Sequence, residues 1–230
     1  MQENFTSEPI SFGRLFAMAN AMLKGNYFKS LLVLLICYGI MQGINHFSFG
    51  LGAIFLTPLL AGKAFFFLQL RRNFQPDIDV IFQPFSNYWH FVAVNLLSTF
   101  FILLPFLLVI PLGAAAVVLG IAGSYIAAGI LALAAVLTII PSTVISLSLF
   151  AVNYVLLDAP ATPIMDVIKT SRQLMHGHKL QLFAYNILLT LISIPVIFLT
   201  CGLGLLWYLP FCENFSAAYY NEIAKNKNWI

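Results

Sequence analysis

From Tyr88 to Leu157 the chain carries no formal charge at all. A protein of 230 residues has too little remaining chain to enclose such a stretch, so the stretch must meet a medium that tolerates apolar surface. The rest of the sequence follows the same rule. Its 11 basic and 8 acidic residues fall, with two exceptions, into four short seams. The first holds Glu3, Glu8, Arg14, Lys24 and Lys29; the second Arg71, Arg72, Asp77 and Asp79. The third holds Asp158, Asp166, Lys169, Arg172 and Lys179, and the fourth Glu222, Lys225 and Lys227. The two exceptions are Lys63 and Glu213. Charged residues make up 8% of the chain, against about 25% in a typical soluble domain. The pattern predicts an all-α polytopic transmembrane bundle, one integral membrane domain over 1–230.

A spanning helix needs about 20 apolar residues. Residues 30–46, 51–70, 180–200 and 203–221 each meet that need. The uncharged middle is flanked by two basic seams. Lys/Arg-rich loops stay in the cytoplasm, so an even number of passes joins them. Two long broken helices fit, with a turn at Gly120–Ser124 and kinks at Pro105, Pro111 and Pro141. Four passes of about 17 residues each are the alternative. The expectation is about six passes in three hairpins, 28–70, 88–157 and 180–221. Both termini are then cytoplasmic, in a cell inner membrane. The N-terminal MQENFTSEP lacks the basic start of a cleaved signal, so the first pass would serve as the insertion signal.

The hairpins share features that suggest a threefold pseudo-repeat. Asn26-Tyr27-Phe28 and Asn87-Tyr88-Trp89 enter the first two, Gly177-His178-Lys179 the third, and Pro58, Pro141 and Pro210 mark their second helices. Each hairpin follows a cytoplasmic lead, at about 11–24, 77–87 and 162–177. The first and third leads carry apolar residues at helical spacing, which fits a helix in the headgroup plane or a connector packed on the bundle.

Lys63 lies eight residues before Arg71, and Glu213 nine before Glu222. At about 1.5 Å per residue both sit roughly 12–14 Å from the cytoplasmic seam. An ionised group near mid-bilayer costs about 2.5–3.5 kcal/mol on insertion scales and usually pairs or lines a wet cavity. Three arrangements are open: a pair that locks the first hairpin to the third, a polar cavity for a lipid headgroup, ion or proton, or a Lys63 that reaches to the headgroups. Lys63, Glu213, Asn214 and Asn153 form the candidate intramembrane ligand-binding patch, which Ser146 and Ser148 could extend.

Other chemistry is sparse. His176-Gly-His178 lacks an acidic or cysteine companion at metal spacing. Cys37, Cys201 and Cys212 stand singly in apolar stretches. No nucleophile–base pair, phosphate loop or paired carboxylate is visible, so no enzyme activity, metal or cofactor is expected. The basic residues are too dispersed to track nucleic acid.

Several segments carry a resemblance when taken in order. They are LKGNYFKSLL from Leu23, IIP from Ile139, NYVLLDAP from Asn153, SRQLMHGHK from Ser171, GLGLLWYLP from Gly202 and AAYY from Ala217. Together they resemble the bacterial integral membrane proteins catalogued as domain of unknown function 975. They are more loosely similar to the membrane domain fused to some glycerophosphodiester phosphodiesterases. The chain departs from the family pattern at Ser142 and Phe211, and its 105–137 stretch is longer. The resemblance implies a helical inner-membrane bundle of about six helices and no established activity. The phosphodiesterase catalytic domain has no counterpart here.

The function expected from these readings is a non-enzymatic module that binds or passes a lipid or small molecule. The alternative is an accessory protein that stabilises or organises partner membrane proteins. Membrane lipids are the expected partners in either case; oligomeric state is left open.

Overall fold

The computed structural model describes residues 10–47, 52, 56–72 and 74–229. Glu3 and Glu8, the loop at Ser48 and the opening residues of the 51–70 pass lie outside them. The described residues are helical, with no strand. In chain order the α-helices are α1 (Phe12–Leu23), α2 (Tyr27–Phe47), α3 (Thr57–Arg71), α4 (Tyr88–Leu103), α5 (Val109–Ile121), α6 (Tyr125–Leu137), α7 (Ile139–Ser148), α8 (Val152–Asp158), α9 (Ile164–Leu174), α10 (Lys179–Leu199) and α11 (Leu205–Asn226). Two 3-10 segments, Ile78–Asn87 and Leu104–Leu108, precede and follow α4.

Four helical runs are long and apolar enough to cross a membrane: Tyr27–His46, Ile78–Ile121, Tyr125–Asp158 and Lys179–Leu199. They bury little of themselves within the protein. Ile121, Ile126 and Leu199 are more than 80% exposed. Continuous apolar surface of this kind is unfavourable in water and natural against lipid. The uncharged middle of the sequence forms the second and third runs, which meet at a turn where Gly123 adopts φ 80°. Pro105 sits in the 3-10 segment that interrupts α4 and α5.

The interior belongs to α3 and α11. α3 packs against α2, α4, α8 and α11, and α11 also receives α1, α2 and α10. Along α11 every residue from Ala217 to Ala224 is buried. Small residues let backbones approach: Ala61 and Ala64 on α3, Ala217 and Ala218 on α11, Ala19 on α1. Aromatic rings fill the remaining space. Phe12 of α1 contacts Tyr185 and Phe215, and Tyr154 stacks on Tyr220 at 4.6 Å. The leads at 11–24 and 162–177 are α1 and α9, both packed on the bundle through buried faces, Leu15, Ala19 and Leu23 in one and Val167, Ile168, Ser171 and Leu174 in the other. The 77–87 lead is a 3-10 segment laid against α3.

One ionic layer gathers residues from all four seams. Arg72 grips Asp158 through both carboxylate oxygens, at 2.7 and 2.9 Å, and Tyr220 donates to the same carboxylate at 2.7 Å. Arg72 also reaches Asn221, at 3.3 Å. Its neighbour Arg71 donates to Glu222 at 2.9 Å, and Arg14 reaches the other oxygen of Glu222 at 3.4 Å. Adjacent arginines at the end of α3 therefore tie α1, α8 and α11 to one another.

The 3-10 segment closes on α3 at Gly62. A Cβ built there would stand 1.8 Å from the Ile81 carbonyl oxygen, so only glycine admits this approach. Gly62→Ala should therefore destabilise by at least about 2 kcal/mol, since the obstructing atom is backbone. Gly43→Ala is the matched control, with nothing within 4 Å of its Cβ. Thermal unfolding in detergent should show a clear loss for the first and none for the second.

Candidate functional site

Lys63 stands midway along α3, between buried Gly62 and Ala64. Glu213 stands in α11 three residues beyond Pro210. Their side chains meet, with Lys63 Nζ 2.5 Å from Glu213 Oε1. The Tyr38 ring of α2 covers the ammonium, its centroid 5.3 Å away. Helices α2, α3 and α11 thus converge on one ion pair. The pair is not fully enclosed: the side chains are 12% and 22% exposed.

The other two candidate residues go elsewhere. Asn214 follows Glu213 directly, and neighbouring residues of a helix point about 100° apart. Its amide donates to the Pro210 carbonyl at 3.0 Å, while its buried Oδ1 has no hydrogen-bond partner among the described residues. Asn153, near the start of α8, accepts from the Asn95 amide at 2.9 Å. That amide donates also to the Phe91 carbonyl, at 2.9 Å, which fixes the Asn95 rotamer.

Asn153 and Asn95 line a cleft of about 260 Å³ together with Ser98, Thr99, Ser146 and Asn186. Its walls come from α4, from both sides of the α7–α8 break, and from α10. The break has a partner for one of its carbonyls: Ser171 of α9 donates to the Ser148 carbonyl at 3.0 Å. Helix ends inside a membrane need such partners, because lipid supplies none. The cleft is polar without being charged, offering amide and hydroxyl donors and acceptors. Asn186 lies seven residues beyond Lys179 and Asn95 seven beyond Tyr88. Both therefore sit about 10 Å from the charged end, close to the depth of Lys63.

Asn95, Ser98, Thr99 and Asn186 were not among the candidate residues. A signal existed: Asn95, Ser98 and Thr99 fall at i, i+3 and i+4, one polar stripe on an otherwise apolar helix. Which helices would face that stripe is a tertiary matter that spacing does not disclose. Among the described residues no group of three or more His, Cys, Asp or Glu is placed to hold a metal ion.

Comparison with known proteins fits this picture. A family model described as a protein of unknown function, DUF975, matches residues 13–227. The chain belongs to the DUF975 family. No curated protein and no solved structure matches it. The DUF975 description assigns no function.

Breaking a buried ion pair by removing one partner costs about 3–5 kcal/mol. Lys63→Glu and Glu213→Lys should each sharply lower the yield of folded protein on size-exclusion chromatography. The double swap should recover most of it. A double swap as poor as either single change would mean that the two charges do not depend on each other.

Proposed function

We propose that this DUF975 protein is a multi-pass inner-membrane protein with both termini in the cytoplasm. In this reading it is a non-enzymatic module that binds or passes a lipid or small molecule at an intramembrane polar site. The four long apolar runs supply four passes. Helices α3 and α11 supply two more, α3 packed among the others and α11 buried mainly in its second half, in three hairpins that keep the proposed pseudo-repeat. The ionic layer supports the orientation, since it collects Arg14, Arg71 and Arg72 at one end of the bundle and positive residues favour the cytoplasmic side.

The observation that carries the binding reading is the cleft at Asn95, Asn153 and Asn186. Polar side chains within a membrane protein are usually consumed by bonds between helices. Here one such bond, Asn95 to Asn153, borders a space large enough for a small ligand or part of a lipid headgroup. The neutral lining suits an uncharged polar group, such as a glycerol or other hydroxyl-bearing moiety. Lys63 and Glu213 act in this scheme as a strut. They hold α3 to α11 at the same depth, so the helices around the cleft keep their spacing.

Native mass spectrometry after extraction in mild detergent tests the proposal. The wild-type protein should retain a non-protein mass. Asn153→Leu should reduce its occupancy about tenfold, the scale of one or two lost hydrogen bonds in a buried site, with the folded yield preserved. No retained mass from the wild type under gentle extraction would contradict the binding reading and favour an accessory role towards partner membrane proteins.

A further inference from the structure

A second feature adjoins the asparagine cleft on its charged side. At the charged end of the bundle a basin of about 780 Å³ is lined by Arg172, Gln173, His176, Lys179 and Lys227. Arg172 and Lys179 also line an adjoining groove of about 360 Å³, whose other walls are mainly apolar: Phe101, Val144, Ile145, Met165 and Ile168. The two cations thus stand where a basic basin passes into a greasy groove.

Among the described residues, acidic partners are taken up by Arg14, Lys29, Lys63, Arg71, Arg72 and Lys169. Neither Arg172 nor Lys179 has a carboxylate within ion-pair distance there. Lys169, which also borders the groove, is paired with Asp166 at 3.2 Å. Lys227 donates to the carbonyls of Gln173 and His176, at 2.7 and 2.9 Å, and so closes the end of α9 while adding positive charge to the basin. The nearby His178 is no cation at neutral pH: burial pushes its imidazole below the usual histidine range, and the charge of Lys227 pushes the same way against its bond to Gln181.

We infer that this groove and basin form a binding site for one anionic phospholipid of the cytoplasmic leaflet. Its phosphate lies on Arg172 and Lys179, and an acyl chain lies in the groove beside Val144, Ile145 and Met165. A planar guanidinium grips phosphate oxygens in pairs, and an ammonium adds a compact charge. Basic pockets between membrane helices on the cytoplasmic side are suited to such headgroups. A free phosphate would use the cations and leave the groove empty; a neutral lipid would use the groove and leave the cations unanswered. Only an amphiphile with an anionic head matches both halves. The groove and the asparagine cleft lie on opposite sides of Leu149, which lines both, but they are lined by different polar groups, and either can fail without the other.

Delipidated full-length protein in detergent, titrated and read by native mass spectrometry, provides the test. Phosphatidylglycerol should bind, and phosphatidylcholine should bind much more weakly. Removing both charges with R172Q/K179Q should weaken phosphatidylglycerol about thirtyfold, the effect of two surface cations on an anionic lipid. K24Q, which alters an exposed cation lining neither space, should stay within about twofold of wild type. V144W, which fills the exposed groove wall, should weaken the lipid and leave inorganic phosphate unaffected. The inference is overturned if R172Q/K179Q binds phosphatidylglycerol as wild type does, or if phosphatidylcholine binds equally well. It is overturned also if inorganic phosphate alone matches the lipid and V144W changes neither.

Discussion

Arg71 and Arg72 hold this protein together. Two adjacent guanidiniums at the end of α3 reach Glu222 and Asn221 on α11 and Asp158 at the end of α8, and Glu222 in turn holds Arg14 on α1. Lipid offers no hydrophobic force to drive apolar helices together, so specific polar contacts and close packing must set their arrangement. The ionic layer does so at one end of the bundle. The bidentate Arg72–Asp158 contact fixes distance and direction together, which a lysine could not do. Deeper in, Lys63–Glu213 repeats the link between α3 and α11. Two tie points on the same helix pair restrain rotation as well as separation.

This skeleton explains why the helices differ in composition. α11 carries Glu213, Asn214, Asn221 and Glu222 and is buried over most of its length. The long apolar runs instead expose mainly large apolar side chains, such as Ile110, Ile121, Ile126, Phe198 and Leu199, because those faces have no protein partner. α4 is the informative intermediate. Its outer face is apolar, and its polar stripe at Asn95, Ser98 and Thr99 turns towards α8 and α10, where a cleft opens. Polar groups thus appear in this bundle wherever two helices must recognise each other or where space is left between them.

Much of this was legible in the sequence. The seams marked the ends of the apolar runs, and the bare 88–157 stretch called for two broken helices, which the chain forms about the Gly123 turn. Matched depth and opposite sign made Lys63 and Glu213 natural partners, and they stand 2.5 Å apart. The family was legible from short ordered motifs, and its model covers residues 13–227. What periodicity did not carry was partnership. Spacing places Asn153 on α8 but not beside Asn95, a residue 58 positions away. It marks Arg72 and Asp158 as seam residues but not as a bidentate pair 86 positions apart. Nor does spacing show that the 77–87 lead closes on α3 at Gly62, an approach that only glycine admits.

The proposed gathering of every charged seam on one side of the membrane underlies the proposed orientation, the even pass count and the placement of both proposed sites. Cysteine accessibility in right-side-out vesicles measures it directly. In a background without Cys37 and Cys212, the exposed native Cys201 should react with a membrane-impermeant maleimide from outside, and so should Ser124→Cys once Cys201 is also removed. Gln75→Cys and Ala161→Cys, each exposed beside the ionic layer, should react only after the vesicles are opened. Labelling of residue 75 or 161 in sealed vesicles, or of all four positions from the same side, would contradict it.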